Sequence, residues 1–198
     1  ILFQDIFAST GRVFAGFIIA TILSVPLGIA MGSFPSFCAL CEPLIAMLRY
    51  MPAAAFTPLL IIYLGIEEAP KIALIFIGTV YFNVLMVMDS VKFVPRELIE
   101  TTLTLGGNTK DLLFKVIARY SLPSIIDTLR INIATSWNLV IVAELIAAEV
   151  GLGKRIQLAQ RFFRTDQIFA ELIVLGIIGF TLDMSFRFLL RRTCKWAV

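Results

Sequence analysis

Residues 13 to 31, VFAGFIIATILSVPLGIAM, form an uncharged apolar run of 19 residues. About 20 such residues, wound as a helix, cross the hydrocarbon core of a bilayer. A backbone placed in lipid finds no water to bond with, so it must satisfy its own N–H and C=O groups, and a helix does this within one segment. Four more stretches pass the same length test. Residues 43–66, PLIAMLRYMPAAAFTPLLIIYLGI, are long enough but contain Arg49, Pro52 and Pro58. Residues 72–88 carry no charge. Residues 123–150 have an apolar middle, 131–143, bracketed by Asp127, Arg130, Glu144 and Glu149. Residues 167–190 form the last span. Strand-type alternation is absent. The expected fold class is therefore all-α, a polytopic membrane protein of about five transmembrane helices in one domain, 1–198. Composition agrees: 59% of residues are hydrophobic and 16% charged, against about 45–50% and about 25% in soluble domains.

The same composition excludes several functions. There is no histidine, which removes the commonest metal ligand and the usual general base near neutral pH. Cys38 and Cys41 make a lone C-x-x-C without a second ligand pair, and Cys194 stands apart, so the cysteines read as small apolar fillers, with no metal site. A net charge of +3 gives a nucleic-acid partner little support. No G-x-x-x-x-G-K-[ST] phosphate cradle is present, so the chain binds no cofactor and hydrolyses no ATP itself. Residues 1–11 lack a basic n-region and a small-residue cleavage site. The chain begins with isoleucine, and a further N-terminal piece is expected.

One long polar stretch, 94–122, interrupts the oily pattern. Pro95 suits a first helical position, and helix formers follow. Gly106-Gly107 permits the positive φ of a sharp turn. Asn108 then caps a second helix, with Asp111 three residues on completing a box-like start. That helix is expected to run to about Tyr120, with Pro123 resetting the chain into the next span. The result is a stiff helix pair, read either as a knob for a soluble partner or as an amphipathic pair lying on the membrane. Basic residues set the orientation. Lys92, Arg96, Lys110, Lys115 and Arg119, with Arg187, Arg191, Arg192 and Lys195 of the tail, number nine against six on the other face. The stretch 94–122 and the C-terminus are therefore expected in the cytoplasm.

Glu100-x5-Gly106, followed at an interval by Leu122-Pro123, resembles the cytoplasmic "EAA" loop of ABC importer permeases. LRYMPAAAFTPLLIIYLGI (48–66), SLPSIIDTLRINIATSWNLVIVAELIAAEVGLG (121–153) and AQRFFRTDQIFAELIVLGIIG (159–179) are similar to permeases for nitrate, bicarbonate, taurine and alkanesulfonates. Thr101-Thr102 replace the family's usual Ala-Ala, Ala118-Arg119 stand where many members have an earlier Leu-Pro, and Glu171 occupies a place where a small residue is common. The resemblance implies a type I ABC importer permease core in the bacterial inner membrane. It implies a second permease subunit, most simply an identical one, and two ATPase subunits that carry ATP and Mg. It implies an extracytoplasmic substrate-binding protein that delivers a small anion, and transport by alternating access. It makes Glu100, Thr101, Thr102, Gly106, Asn108 and Asp111 the ATPase-coupling residues. A channel or an intramembrane enzyme without an ATPase partner is the alternative.

Polar groups inside spans are costly and become site candidates. Arg49 and Pro52 are candidates for the substrate pathway; the alternative for Arg49 is snorkelling to the membrane surface, since it follows Pro43 by six residues. Trp137 and Asn138, mid-way along the fourth span, line the pathway or, for Trp137, fill core. Ser136 is small enough for close helix approach. Glu144 is a further candidate for the substrate pathway and requires a partner, from a basic residue of the segment 151–164 or across a subunit interface. Asp127 and Arg130 form an intrahelical pair. Lys154, Arg155, Arg161 and Arg164 make the basic segment an outer lip that anchors to lipid head groups and meets the binding protein.

Overall fold

A computed structural model describes residues 2–196, with no side-chain description for Ala147. All regular structure among these residues is helical. Helix α1 spans Leu2–Ser33, α2 Pro35–Arg49, α3 Thr57–Leu64, α4 Ala69–Lys92 and α5 Arg96–Thr104. A one-turn α6, Thr109–Asp111, runs through a π-helical stretch, Leu112–Ile117, into α7, Ala118–Ala147. Helix α8 is Leu152–Arg161 and α9 Thr165–Thr193.

Four helices are long and apolar enough to cross a membrane, and the bent pair α2–α3 makes a fifth. The first begins well before the apolar run that announced it, at Leu2. The stretch 43–66 is not one helix. Pro52 takes an extended conformation (φ −61°, ψ 119°), its ring disfavours helix at Met51, and the chain turns by 81° between α2 and α3. A short 3₁₀ turn, Ala53–Phe56, fills the corner.

The core is the pairing of α1 with α4, the most extensive in the molecule. Gly16, Gly28 and Gly32 of α1 abut Ile75, Val87 and Val91 of α4 in the same order along both helices, so the two run parallel. A Cβ at Gly28 would lie 2.7 Å from Val87. Small residues thus bring the backbones close enough for dispersion contacts that lipid cannot replace. Helix α7 packs antiparallel to α4 and ties to it by polar side chains. Thr79 and Ser136 share a 2.8 Å hydrogen bond, Asn132 donates to Asn83 at 2.7 Å, and Ser124 donates to Ser90 at 3.0 Å. Ser136 thus both lets the helices approach and links them. Helix α9 leans on α7 and α8 and buries little of its own surface; Phe186 meets Phe17 edge-on at 6.3 Å.

Pro123 does not reset the chain. It lies inside a continuous helix from Thr109 to Ile146. Its missing N–H and its ring break one bond of the ladder, but Ile117 on one side and Ile125, Ile126 and Thr128 on the other are all buried, so packing holds the rod together. The polar stretch is therefore one free-standing helix, α5, followed by the entry of a spanning helix.

Candidate functional site

Three features carry the polar chemistry of the bundle: the α5 end, a cleft between α7 and α9, and the α8 end.

At the α5 end the turn forms as local chemistry dictates. Gly106 has φ +83°, a region where a Cβ is strained. The Asn108 side chain accepts from Asp111 N at 2.9 Å, and Asp111 accepts from Asn108 N at 3.3 Å. Two orphan amides of the helix start are satisfied reciprocally. Glu100 and Thr101 on α5 face solvent, and Thr102 is half-buried against Gly107. The hydroxyls of Thr101 and Thr102 bond back to the carbonyls of Glu97 and Leu98. Leu98, Leu103 and Leu105 are bare, Leu105 at 82% exposure. Helix α5 touches the bundle chiefly through Ile99.

Arg49 ends α2 at the corner. Helix α2 begins at Pro35, eight residues before the expected span start, so Arg49 lies about 21 Å along it at 1.5 Å per residue. Its guanidinium sits 5.3 Å from the Tyr50 ring and 6.0 Å from that of Phe82, and it has no carboxylate partner among the described residues. Pro52 is exposed beside it. Trp137 is 8% exposed and Asn138 exposed. Both line a cavity of about 390 Å³ between α7 and α9. Arg130 closes one end of this cleft, paired with Asp127 at 3.1 Å and near Asp183 at 3.6 Å.

The α8 end holds a buried ionic cluster. Glu144 is wholly buried. One of its oxygens accepts from Ser9 Oγ at 2.7 Å and Arg12 Nη1 at 2.6 Å; the other accepts from Gly153 N at 2.8 Å. Arg12 also donates to Val150 O at 2.7 Å and through Nη2 to Glu68 at 2.8 Å, where Lys71 adds a bond at 3.0 Å. Asp5 accepts from Gly151 N at 2.9 Å and pairs with Arg155 at 3.3 Å; Arg155 Nε reaches Glu171 at 2.6 Å. Gly151 is at φ +142°, and a Cβ there would fall 2.5 Å from the Glu144 carboxylate. Glu144 therefore pairs with Arg12 of α1 and with no basic side chain of the segment 151–164, which reaches it only through the Gly153 amide. Arg12 lies nearest because α1 and α7 meet there, 132 residues apart in sequence. In this conformation Glu144 presents no surface to a pathway. Arg155 is likewise committed to Asp5 and Glu171, and Lys154 donates to Gln157 at 3.1 Å, while Arg161 and Arg164 are exposed.

The exposed Glu68 carboxyl, in the turn before α4, is lowered to about 2, chiefly by the Arg12 hydrogen bond working against its own burial. Asp5, Ser9, Glu68 and Glu171 belong to this cluster and were not singled out as site residues. One signal was present: Asp5, Ser9 and Arg12 recur at i, i+4, i+7, a polar stripe on one face of an apolar helix.

Residues 24–194 match the family model described as "Binding-protein-dependent transport system inner membrane component". The chain belongs to this family. A probable ABC transporter permease protein of Brucella melitensis is 37% identical over 98% of this chain and 79% of its own length. The taurine transport system permease protein of Escherichia coli is 35% identical over 98% of the chain and 71% of its own. The nitrate import permease protein of Synechocystis is 30% identical over 93% and 67%. Among solved structures, an inward-facing MetNI methionine ABC transporter has the same fold (TM-score 0.87, 16% identity, 96% of this chain and 95% of that one). The permease is thus a transport subunit of an ABC importer and not its catalytic component.

Proposed function

We propose that this permease moves a small anion of the nitrate, bicarbonate or sulfonate/taurine class into the cytoplasm by ATP-driven alternating access. It does so as one of a pair, most simply a homodimer, on two ATPase subunits that hold ATP and Mg. The observation that carries this reading is α5: a short helix with exposed leucines at 98 and 103 and a third, Leu105, just past its end, fixed by a positive-φ glycine turn and a capping box to the start of a spanning helix. A soluble partner that covers these leucines displaces water from apolar surface, and motion of α5 passes directly into α7. Glu100, Thr101, Thr102, Gly106, Asn108 and Asp111 are its docking and turn residues. This puts 94–122 and the C-terminus in the cytoplasm and α8 outside.

In this reading Arg49, unpaired at the corner beside Pro52, faces the anion path. A cation held in a low-dielectric setting attracts an anion more strongly than one in water. Arg161 and Arg164, exposed at the outer face, meet the binding protein; Lys154 and Arg155 hold the lip in shape. The similarity to taurine and nitrate permeases supports the anion class.

A single cysteine at Leu103, in a background lacking Cys38, Cys41 and Cys194, tests the reading. In inside-out vesicles of the full complex it should crosslink to the ATPase subunit, and ATP should alter the yield. Modification of the same cysteine by an impermeant thiol reagent in intact cells would place α5 on the wrong side and overturn the assignment.

A further inference from the structure

Where α9 ends beside the start of α7 there is an open groove of about 430 Å³. Leu98 and Val116 give it apolar wall, and Lys115, Arg119, Tyr120 and Trp196 make up the rest. Leu98, at 39% exposure, is the least bare of the three leucines near the glycine turn. Leu103 and Leu105 do not line the groove and stay available to a soluble partner.

Depth identifies what surrounds the groove. From Tyr120 to the end of α7 at Ala147 is about 40 Å at 1.5 Å per residue. Helix α9, 29 residues long, measures about 43 Å on the same rule, and Trp196 follows its end. A bilayer is about 40–45 Å thick with both head-group layers included. Two helices that meet at the α8 end therefore deliver both rings to the opposite head-group layer. Tyr and Trp favour that layer, because an apolar ring and a polar tip are both satisfied there. Both are well exposed.

Charge identifies the ligand. Lys115 and Arg119 line the groove, and Arg191, Arg192 and Lys195 lead up to Trp196; all five are exposed. Asp111 holds Lys115 at 2.6 Å. Arg119, Arg191 and Lys195 have no carboxylate partner among the described residues. Glu97, next to Leu98 in the chain, offsets one of these charges at most. Clustered cations just outside a spanning helix attract anionic lipid, and a guanidinium matches the oxygens of a phosphate with paired donors. Room for an acyl chain is present as well. Ile177, Phe180, Met184 and Phe188 recur every three or four residues along α9 and are all exposed. This apolar stripe ends at Phe188, with the Arg192 guanidinium 5.5 Å from its ring.

We infer that the groove binds an anionic phospholipid. Its phosphate rests on Arg119, with Lys115 and Lys195 beside it. Its glycerol backbone lies against Leu98, Val116 and the two rings, and one acyl chain follows the α9 stripe. Bound there, the lipid bridges α5 and the tail of α9. The inference rests on the membrane-spanning fold, and neither on the anion carried nor on the coupling role of α5.

The test uses the purified permease–ATPase complex in detergent. Phosphatidylglycerol and phosphatidylcholine with the same acyl chains are added at equal concentration, and native mass spectrometry counts the lipids retained per complex. Wild type should retain phosphatidylglycerol over phosphatidylcholine by roughly tenfold. The Arg119→Gln–Lys195→Gln double variant should bring that ratio close to one with the ATPase still bound. Trp196→Ala should lower the retention of both lipids. Arg96→Gln–Lys110→Gln, which removes two exposed cations that do not line the groove, should keep the wild-type ratio. Equal retention of the two lipids in wild type, or unchanged retention in Arg119→Gln–Lys195→Gln or in Trp196→Ala, overturns the site. An equal loss in Arg96→Gln–Lys110→Gln does so too, since the attraction would then be a diffuse field. Displacement of phosphatidylglycerol by millimolar inorganic phosphate would make this a site for a soluble anion. Departure of the ATPase from the Arg119→Gln–Lys195→Gln complex would make it an ATPase seat; either result discards the lipid. The transport reading stands or falls separately, on the crosslink at Leu103.

Discussion

The two ends of the bundle are built on opposite principles. At the α8 end Glu144, Asp5 and Arg12 are buried, and their partners come from α1, the turn before α4, α7 and α8, with Glu171 of α9 joined to them through Arg155. At the α5 end the ordering contacts are local: a glycine turn, a capping box and the exposed Asp111–Lys115 pair within one helix. Long-range pairs tie five elements together. Local caps fix a shape but leave its position free. The contrast leaves one end tied across the bundle and the other held chiefly by its own turn.

The comparison breaks most visibly at Glu144. Replacing it by alanine takes from Arg12 its one fully buried carboxylate partner, leaving Glu68 and the Val150 carbonyl, and removing one partner of a buried pair costs up to about 3–5 kcal/mol. Glu144→Ala should lower the thermal midpoint of the purified complex by several degrees or prevent its accumulation. The Arg12→Ala–Glu144→Ala double variant should cost clearly less than the sum of the singles, since neither charge is left alone. Additive losses would show that the two residues are not coupled.

Next in size is Gly106→Val. A β-branched residue at φ +83° stores about 1–3 kcal/mol of strain or redirects α5. The α8 end is untouched, so the complex should assemble while substrate-stimulated ATP hydrolysis falls. Wild-type stimulation would separate α5 from coupling. Asn108→Ala removes one cap, worth about 1 kcal/mol, and should reduce coupling partially, with slower transport per ATP hydrolysed and no change at the α8 end.

The smallest effect is a pH dependence. Because the Glu68 carboxyl is lowered to about 2 in the fold, its contribution is complete above the ordinary carboxylate value near 4.3 and is lost only as pH falls from there through 2. Thermal midpoints should therefore be flat from pH 8 to 5 as far as Glu68 is concerned. Below 4.5 wild type should lose its advantage over Glu68→Gln. The side chain is 56% exposed, so the advantage is at most about 1 kcal/mol. A difference that grows on acidification would reverse the sign and discard the Arg12 pairing.

The same division explains what the sequence disclosed. Span number followed from apolar run length, a property of each segment alone. The Gly106 turn and the Asn108–Asp111 box were legible because every participant lies within six residues. Pairing across the bundle was not. Glu144 was assigned a partner close in sequence, but Arg12 and Ser9 lie 132 and 135 positions away and reach it only once α1 lies against α7. Pro123 was read as a stop because proline breaks an isolated helix; buried isoleucines on both sides kept the helix whole. Pro52, with the same local chemistry, did break its span, because the half-helices on either side of it are left largely exposed to the surroundings. The cleft at Trp137 depended on two glycines of α9 lying opposite α7, which no single segment announces.

The π-helical stretch between Leu112 and Ile117 has a consequence for phase. A π turn takes up one residue more than an α turn, and each residue of an α-helix advances the azimuth by about 100°. Side chains before and after it are thus out of step with any single helical wheel drawn through both. This is how Leu112, Leu113 and Ile117 reach the interior while Ile125, Ile133 and Trp137 further along also do. Removing one residue from this stretch would restore an ordinary helix and swing α5 about a quarter-turn around the axis of α7, pointing its leucines away from wherever they now aim.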